Sequence, residues 1–106
     1  MRQALVYSNG IVAGILTETD TGKYIFKYDD IYLADSSMRS VSLSFPKSKK
    51  EFVSEKLFPF FYNMLSEGAN KALQCATLKI DENDAFGLLL ATAGSDTIGA
   101  VTVKEI

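Results

Sequence analysis

The apolar residues of this 106-residue chain follow two different periods, and the switch between them at Ser54 restricts the fold more than any other feature. Before Ser54 the pattern is that of strands, in which successive side chains point to opposite faces; after it the pattern is helical, with a repeat near 3.6. A strand pattern returns at 98–104. Strands at both ends with helices between them predict an α+β fold, in which the last strand comes back to the first sheet. The sheet is expected to be small, antiparallel and partly barrel-like, with about three helices between the fourth strand and the C-terminal strand.

In the first third, residues 4–7 and 11–16 flank Asn9-Gly10, a pair suited to a two-residue type I′ turn with positive φ at both positions. Thr19-Asp20-Thr21-Gly22 makes a second turn into Lys23-Tyr24-Ile25-Phe26-Lys27-Tyr28, where Tyr24, Phe26 and Tyr28 share one face. These segments read as a three-stranded meander. A short helical turn is expected near Asp29-Asp30. Residues 40–45 alternate cleanly and read as a fourth strand, with Val41, Leu43 and Phe45 inward and three serines outward. Pro46 ends it, and Lys47-Ser48-Lys49-Lys50 reads as a solvated loop, with contact to an acidic partner or phosphate as the alternative.

Ser54 is a candidate cap for a helix carrying Leu57, Phe61, Met64 and Leu65 on one stripe, with Phe58 beside it. Pro59 would bend or delay that helix, and Gly68 would stop it. A second helix is expected from Asn70 to about Lys79, with Leu73, Thr77 and Ile80 on one side. A third begins near Asn83 or Asp84, packs Phe86, Leu89, Leu90 and Ala93, and closes at Gly94. At this length, one domain spanning 1–106 is expected, since domains cluster at roughly 100–150 residues.

Composition excludes several chemistries. There is no histidine, so no Ser-His-Asp relay and no His-ligated metal is possible within the chain. The one cysteine, Cys75, cannot form an intrachain disulfide or a thiolate zinc site alone, and its apolar neighbours suit an inert buried thiol. A net charge of −2 lacks the basic face that phosphate backbones require, so no direct nucleic-acid contact is expected. The run 85–93 is about half of a membrane span, and the N-terminus has no signal-peptide core, so a cytoplasmic protein without membrane attachment is expected. Gly94-Ser95-Asp96-Thr97-Ile98-Gly99 follows a helix and precedes a strand, the reverse of a phosphate loop. Asp29-Asp30 and Asp81-Glu82-Asn83-Asp84 suit helix caps better than a calcium loop. Kinase signatures are absent, no cofactor is called for, and nothing assembles a reaction centre.

Three blocks in this order carry a family likeness. They are Ser40-Val41-Ser42-Leu43-Ser44-Phe45-Pro46, then Phe60-Phe61-Tyr62-Asn63-Met64-Leu65-Ser66-Glu67-Gly68, then Asp84-Ala85-Phe86-Gly87-Leu88-Leu89 leading into 94–103. The chain resembles the N-terminal subdomain of HipA-type toxin kinases, and residues 24–28 fit the same pattern. That resemblance implies a non-catalytic domain that docks on a HipA-like Ser/Thr kinase body. In the two-part kinases the body targets an aminoacyl-tRNA synthetase and is held by a HipB-like helix-turn-helix protein, a further candidate for the same complex. In the split, HipS-type arrangement the subdomain is a separate protein that neutralises a shortened kinase. A start at Met1 without a kinase half fits that arrangement.

The resemblance concentrates its motif residues in Ser66, Glu67, Gly68, Ala69 and Asn70 and in the Gly94, Ser95, Asp96 turn, which become the candidate partner-binding surface; plain helix stops at Gly68 and Gly94 are the alternative. The family's Leu-Pro-Glu-Gly reads Leu65-Ser66-Glu67-Gly68 here, and small Ala69 follows it. Blocking a partner's cleft with a bulky side chain at that point is therefore not expected. Two other functions stay open: a structural subdomain of a full-length kinase, and a small-molecule-binding β-domain using the Tyr24, Phe26 and Tyr28 face.

Overall fold

A computed structural model describes the chain except residues 64, 66, 67, 82 and 93–100, with backbone alone at 68–71 and 74. The order is β1 (Arg2–Ser8), β2 (Ile11–Glu18), β3 (Tyr24–Tyr28), α1 (Asp30–Ala34), β4 (Glu51–Ser54), α2 (Pro59–Tyr62), α3 (Gly68–Leu78), α4 (Ala85–Thr92) and β5 (Val101–Glu105). The strands form one five-stranded antiparallel sheet in the order β4-β3-β2-β1-β5. The C-terminal strand thus returns beside the first, and the sheet stays open at β4 and β5. This is the expected α+β architecture.

Asn9 and Gly10 take φ of 52° and 79°, the conformation the tight turn requires. Asp29 caps α1 by accepting from the amides of Ile31 and Tyr32. The inner face of the sheet is built by register. Ala4, Leu16, Phe26 and Phe52 stand side by side across four strands, and Val6 pairs with Val103. Phe26 lies 4.8 Å from Phe45 and 5.9 Å from Phe61, ring centre to ring centre. Phe45 also meets Phe52, Phe58 and Phe60. α4 closes the core with Phe86, Leu88 and Leu89, all buried. Leu88 lies off the expected stripe, because a helix apolar on several sides is covered on several sides; Ala93 is outside the described residues.

The expected strand at 40–45 does not form. Val41 and Phe45 are buried, but Leu43 is 99% exposed. The hydroxyl of Tyr28 accepts from the Val41 amide and donates to the Phe45 carbonyl, and the Phe45 amide bonds the Ser42 carbonyl. The segment is wound around one tyrosine, helped by Ser42, whose hydroxyl takes the Ser44 amide. The place beside β3 goes to β4 instead, in the register Phe26↔Phe52.

The helical half is also divided differently. Ser54 ends β4 and accepts from the Lys56 amide rather than capping a helix. Pro59 sits at the first turn of α2, where its missing N–H costs nothing. Gly68 begins α3 rather than ending α2. α3 closes with Lys79 at φ 57° and the Ile80 amide on the Cys75 carbonyl, the Schellman arrangement. That closure turns Cys75 and Ile80 toward the core and leaves Leu73 exposed, against the expected Leu73-Thr77-Ile80 stripe.

Tyr28→Phe would strand a buried amide and a buried carbonyl, and is expected to cost about 1–3 kcal/mol. Urea unfolding would show this as a lower midpoint at unchanged slope. Leu43→Ser is expected to stay within about 0.5 kcal/mol in the same assay; a core-sized loss there would contradict the exposed placement.

Candidate functional site

The described residues enclose a cleft of about 450 Å³ where the sheet, α2 and α4 meet. Tyr24 at the start of β3, Leu57 and Ala85 line it with Pro59, Tyr62 and Asn63, and Glu55 and Lys56 stand on its rim. The volume is within the range of ordinary ligand clefts. The turn at Gly22 brings β3 to this edge, and the first turn of α2 closes the other side.

Behind Tyr24 lies a polar cluster. The Tyr24 hydroxyl donates to Glu18 Oε2 at 2.9 Å, and Arg2 Nε donates to Glu18 Oε1 at 2.8 Å. The Arg2 fork then grips both oxygens of Asp84, at 3.0 and 2.8 Å. Asp84 Oδ1 also accepts the Gly87 amide, capping α4. The guanidinium lies 5.1 Å from the centre of the Phe86 ring. A Cβ at Gly87 would come within 2.3 Å of the Asp84 carboxylate, so a larger residue there would push that carboxylate from its place.

These contacts set the proton affinities. Hydrogen bonding to Asp84 raises Arg2 further, outweighing partial burial, and the same bond holds the Asp84 carboxyl below its ordinary value. Burial, reinforced by the hydrogen bond to Glu18, pushes the Tyr24 hydroxyl up to about 12. Near neutral pH Tyr24 is therefore a fixed donor, and the Asp84 oxygens are already engaged. The cleft offers apolar walls and a polar rim.

The expected sites distribute as follows. Gly68, Ala69 and Asn70 form the first turn of α3, described in backbone only. Ser66, Glu67, Gly94, Ser95 and Asp96 lie outside the described residues. Phe26 and Tyr28 belong to the core, so of the aromatic face only Tyr24 reaches the cleft. The three lysines after Pro46 are tied down rather than merely solvated. Lys47 donates to the carbonyls of Asp35 and Met38, Lys49 lies over Phe52, and Lys50 pairs with Asp30. Asp84 caps as expected, and Asp81 accepts from the Asn83 amide. Among the described residues no group of three or more His, Cys, Asp or Glu is placed to hold a metal. Arg2, which organises the cluster, carries no motif, and a regular Asn9-Gly10 hairpin would set it opposite Thr17 rather than Glu18, so the sequence held no signal for it.

Comparison with known proteins comes down on one family. A family model described as the HipA N-terminal domain matches residues 4–104. An uncharacterised protein of Haemophilus influenzae is 34% identical over 105 residues, covering 99% of this chain and 93% of that protein. A Sinorhizobium fredii protein named "Putative kinase Y4mE" is 28% identical over 96 residues; the match takes in 91% of this chain but 23% of that protein. Among solved structures, the N-terminal domain of HipA toxin superposes with a TM-score of 0.74 at 31% identity, over 100% of this chain and 93% of the other.

The Arg2–Asp84 pair is partly exposed, so its worth is that of a good surface pair. Asp84→Asn is expected to cost about 1 kcal/mol near neutral pH, and Asp84→Ala about 2 because the cap is lost as well. Since the folded carboxyl titrates below its ordinary 3.8, its contribution is present above that value and fades as the pH falls through it. Urea melts of wild type and Asp84→Asn should therefore converge in acid; a constant gap would rule out the charge pair as its source.

Proposed function

Because the chain belongs to the HipA N-terminal domain family, we propose that it is a non-catalytic protein-binding subunit that docks on a HipA-like Ser/Thr kinase body and neutralises it within a toxin–antitoxin system. The observation that carries this reading is the distribution of its relatives. The same domain fills 93% of one small protein and 23% of another that is named as a kinase. A domain that occurs in both settings is suited to meeting a kinase body either within one chain or across two. The match to a HipA N-terminal domain, rather than to a kinase body, supports the non-catalytic part.

In this reading the Ser66–Asn70 segment and the 94–96 turn contribute to the contact, a HipB-like helix-turn-helix protein joins the same assembly, and the complex works in the cytoplasm. No described helix is long and apolar enough to cross a membrane. Without the Pro of the family's turn, and with Ala69 after it, the contact depends on surface complementarity rather than on one inserted side chain. Small-molecule binding is a second reading, favoured by the volume beside Tyr24.

Co-expression with a HipA-type kinase of the same genome, followed by pull-down and growth assay, is the test. The expected result is a stable complex and relief of growth arrest; arrest unchanged by co-expression would overturn neutralisation. Glu67→Lys with Asp96→Lys is expected to weaken the complex at least tenfold, and unchanged affinity would remove both loops from the interface.

A further inference from the structure

In an antiparallel sheet covered on one face, the other face ordinarily carries polar side chains. The outer face here is mixed: Leu5, Ile15 and Ile25 on the central strands and Val53 on the edge strand β4 share it with Gln3, Thr17, Lys27 and Lys104. Register sets the four apolar residues as two pairs in adjacent rows, Leu5 with Ile15 and Ile25 with Val53, with Ile15 and Ile25 as diagonal neighbours and Thr17 between Gln3 and Ile25. Ile15 is 37% and Val53 59% exposed, and Leu5 and Ile25 are half-buried. Neighbouring apolar residues left open to water mark an interaction surface better than scattered ones do.

The row through Leu5 and Ile15 has charged ends and a socket. Lys104 lies directly across from Leu5, and Lys27 directly across from Ile15, so two lysines bracket the central apolar pair in one row. Both are exposed, and neither makes an ion pair among the described residues. Glu51 closes the row beyond Lys27. Beside Ile15 and Lys27 a hollow of about 210 Å³ reaches Tyr28 and is walled by the Asp30–Lys50 pair. That is room for one partner side chain in a lining of mixed charge, with Asp29 and Asp30 beside the two lysines.

We propose that this outer sheet face, centred on Leu5 and Ile15 and bracketed by Lys27 and Lys104, is a docking surface for the kinase body beyond the two loops named above, and that the kinase body meets it with apolar side chains fringed by carboxylates. The assignment rests on the docking function proposed above and adds a face that takes part in it. Charge selects this occupant over a second copy of the chain. In a two-fold, face-to-face pair centred on Leu5 and Ile15 with the rows of the two copies aligned, each lysine would meet a lysine, a like-charge contact that disfavours this self-association. A carboxylate-fringed partner turns the same two lysines into attractive contacts.

The test measures the affinity of the full chain for the purified kinase body encoded in the same genome, at low and high salt. Wild type is expected to bind, more weakly at high salt. Ile15→Thr with Val53→Thr keeps β-branched side chains in both strands and is expected to weaken binding at least tenfold. Lys27→Gln with Lys104→Gln is expected to weaken it severalfold and flatten the salt dependence. Circular dichroism and urea midpoints establish that each variant is folded, and the exposed lysine pair serves if the threonine pair is not. Wild-type affinity in both folded variants would overturn the face while leaving docking intact. No binding by wild type would overturn docking itself and the face with it. A dimer of the chain alone, seen by sedimentation and abolished by the same substitutions, would assign the face to self-association instead.

Discussion

The contact between Phe26 and Phe45 joins the parts of this protein that no backbone pairing joins. Phe26 is wholly buried in β3, between cross-strand neighbours Leu16 and Phe52. Phe45 comes from a segment without regular structure and reaches α2 through Phe58, Phe60 and Phe61. Six of the seven phenylalanines thus form one cluster, leaving only Phe86 outside it. Aromatic pairs of this kind add roughly 0.5–1.5 kcal/mol each beyond their buried area. Their tilted and edge-on geometries allow a loop and a one-turn helix to be held without a ladder. The Tyr28 hydroxyl then supplies the hydrogen bonds that this loop would otherwise have found in a strand.

At the other end of the sheet the same task falls to charge. Arg2 ties β1 to β2 through Glu18 and to α4 through Asp84, stacked on Phe86. The wall of the cleft therefore depends on an arginine near the N-terminus and a cap more than eighty positions later. Tyr24 is held as a donor by the same network, which fixes the direction of its ring beside the open volume. Stability and the shape of a potential binding surface are coupled here, so substitutions in the cluster alter both.

The two faces of the sheet divide the work. The inner face buries Ala4, Val6, Leu16, Phe26 and Val103 and specifies the fold. The outer face keeps Leu5, Ile15, Ile25 and Val53 partly or largely open among polar neighbours. The family's domain spans most of one small relative and under a quarter of a longer one named as a putative kinase, so under the proposed docking one face would serve contacts within a chain and between chains.

Local rules were enough to read the meander, the Asn9-Gly10 turn, the Asp29 and Asp84 caps and the returning last strand, because each depends on neighbours in sequence. They were not enough where a distant group competes for the backbone. Residues 40–45 alternate like a strand, yet Tyr28 and the phenylalanine cluster take hold of Val41 and Phe45 and turn Leu43 outward. Pro59 and Gly68, read as a kink and a stop, are the starts of α2 and α3. The cleft shows the same limit. A two-residue turn without irregularity would set Arg2 opposite Thr17, but the register shifts between Val6 and Tyr7 and brings Arg2 opposite Glu18. Sequence alone therefore determined the family, the α+β class and most of the elements. Only the tertiary structure decided the Arg2 cluster, the cleft and the open outer face, because a one-residue shift in pairing and a buried hydroxyl leave no local mark in the chain.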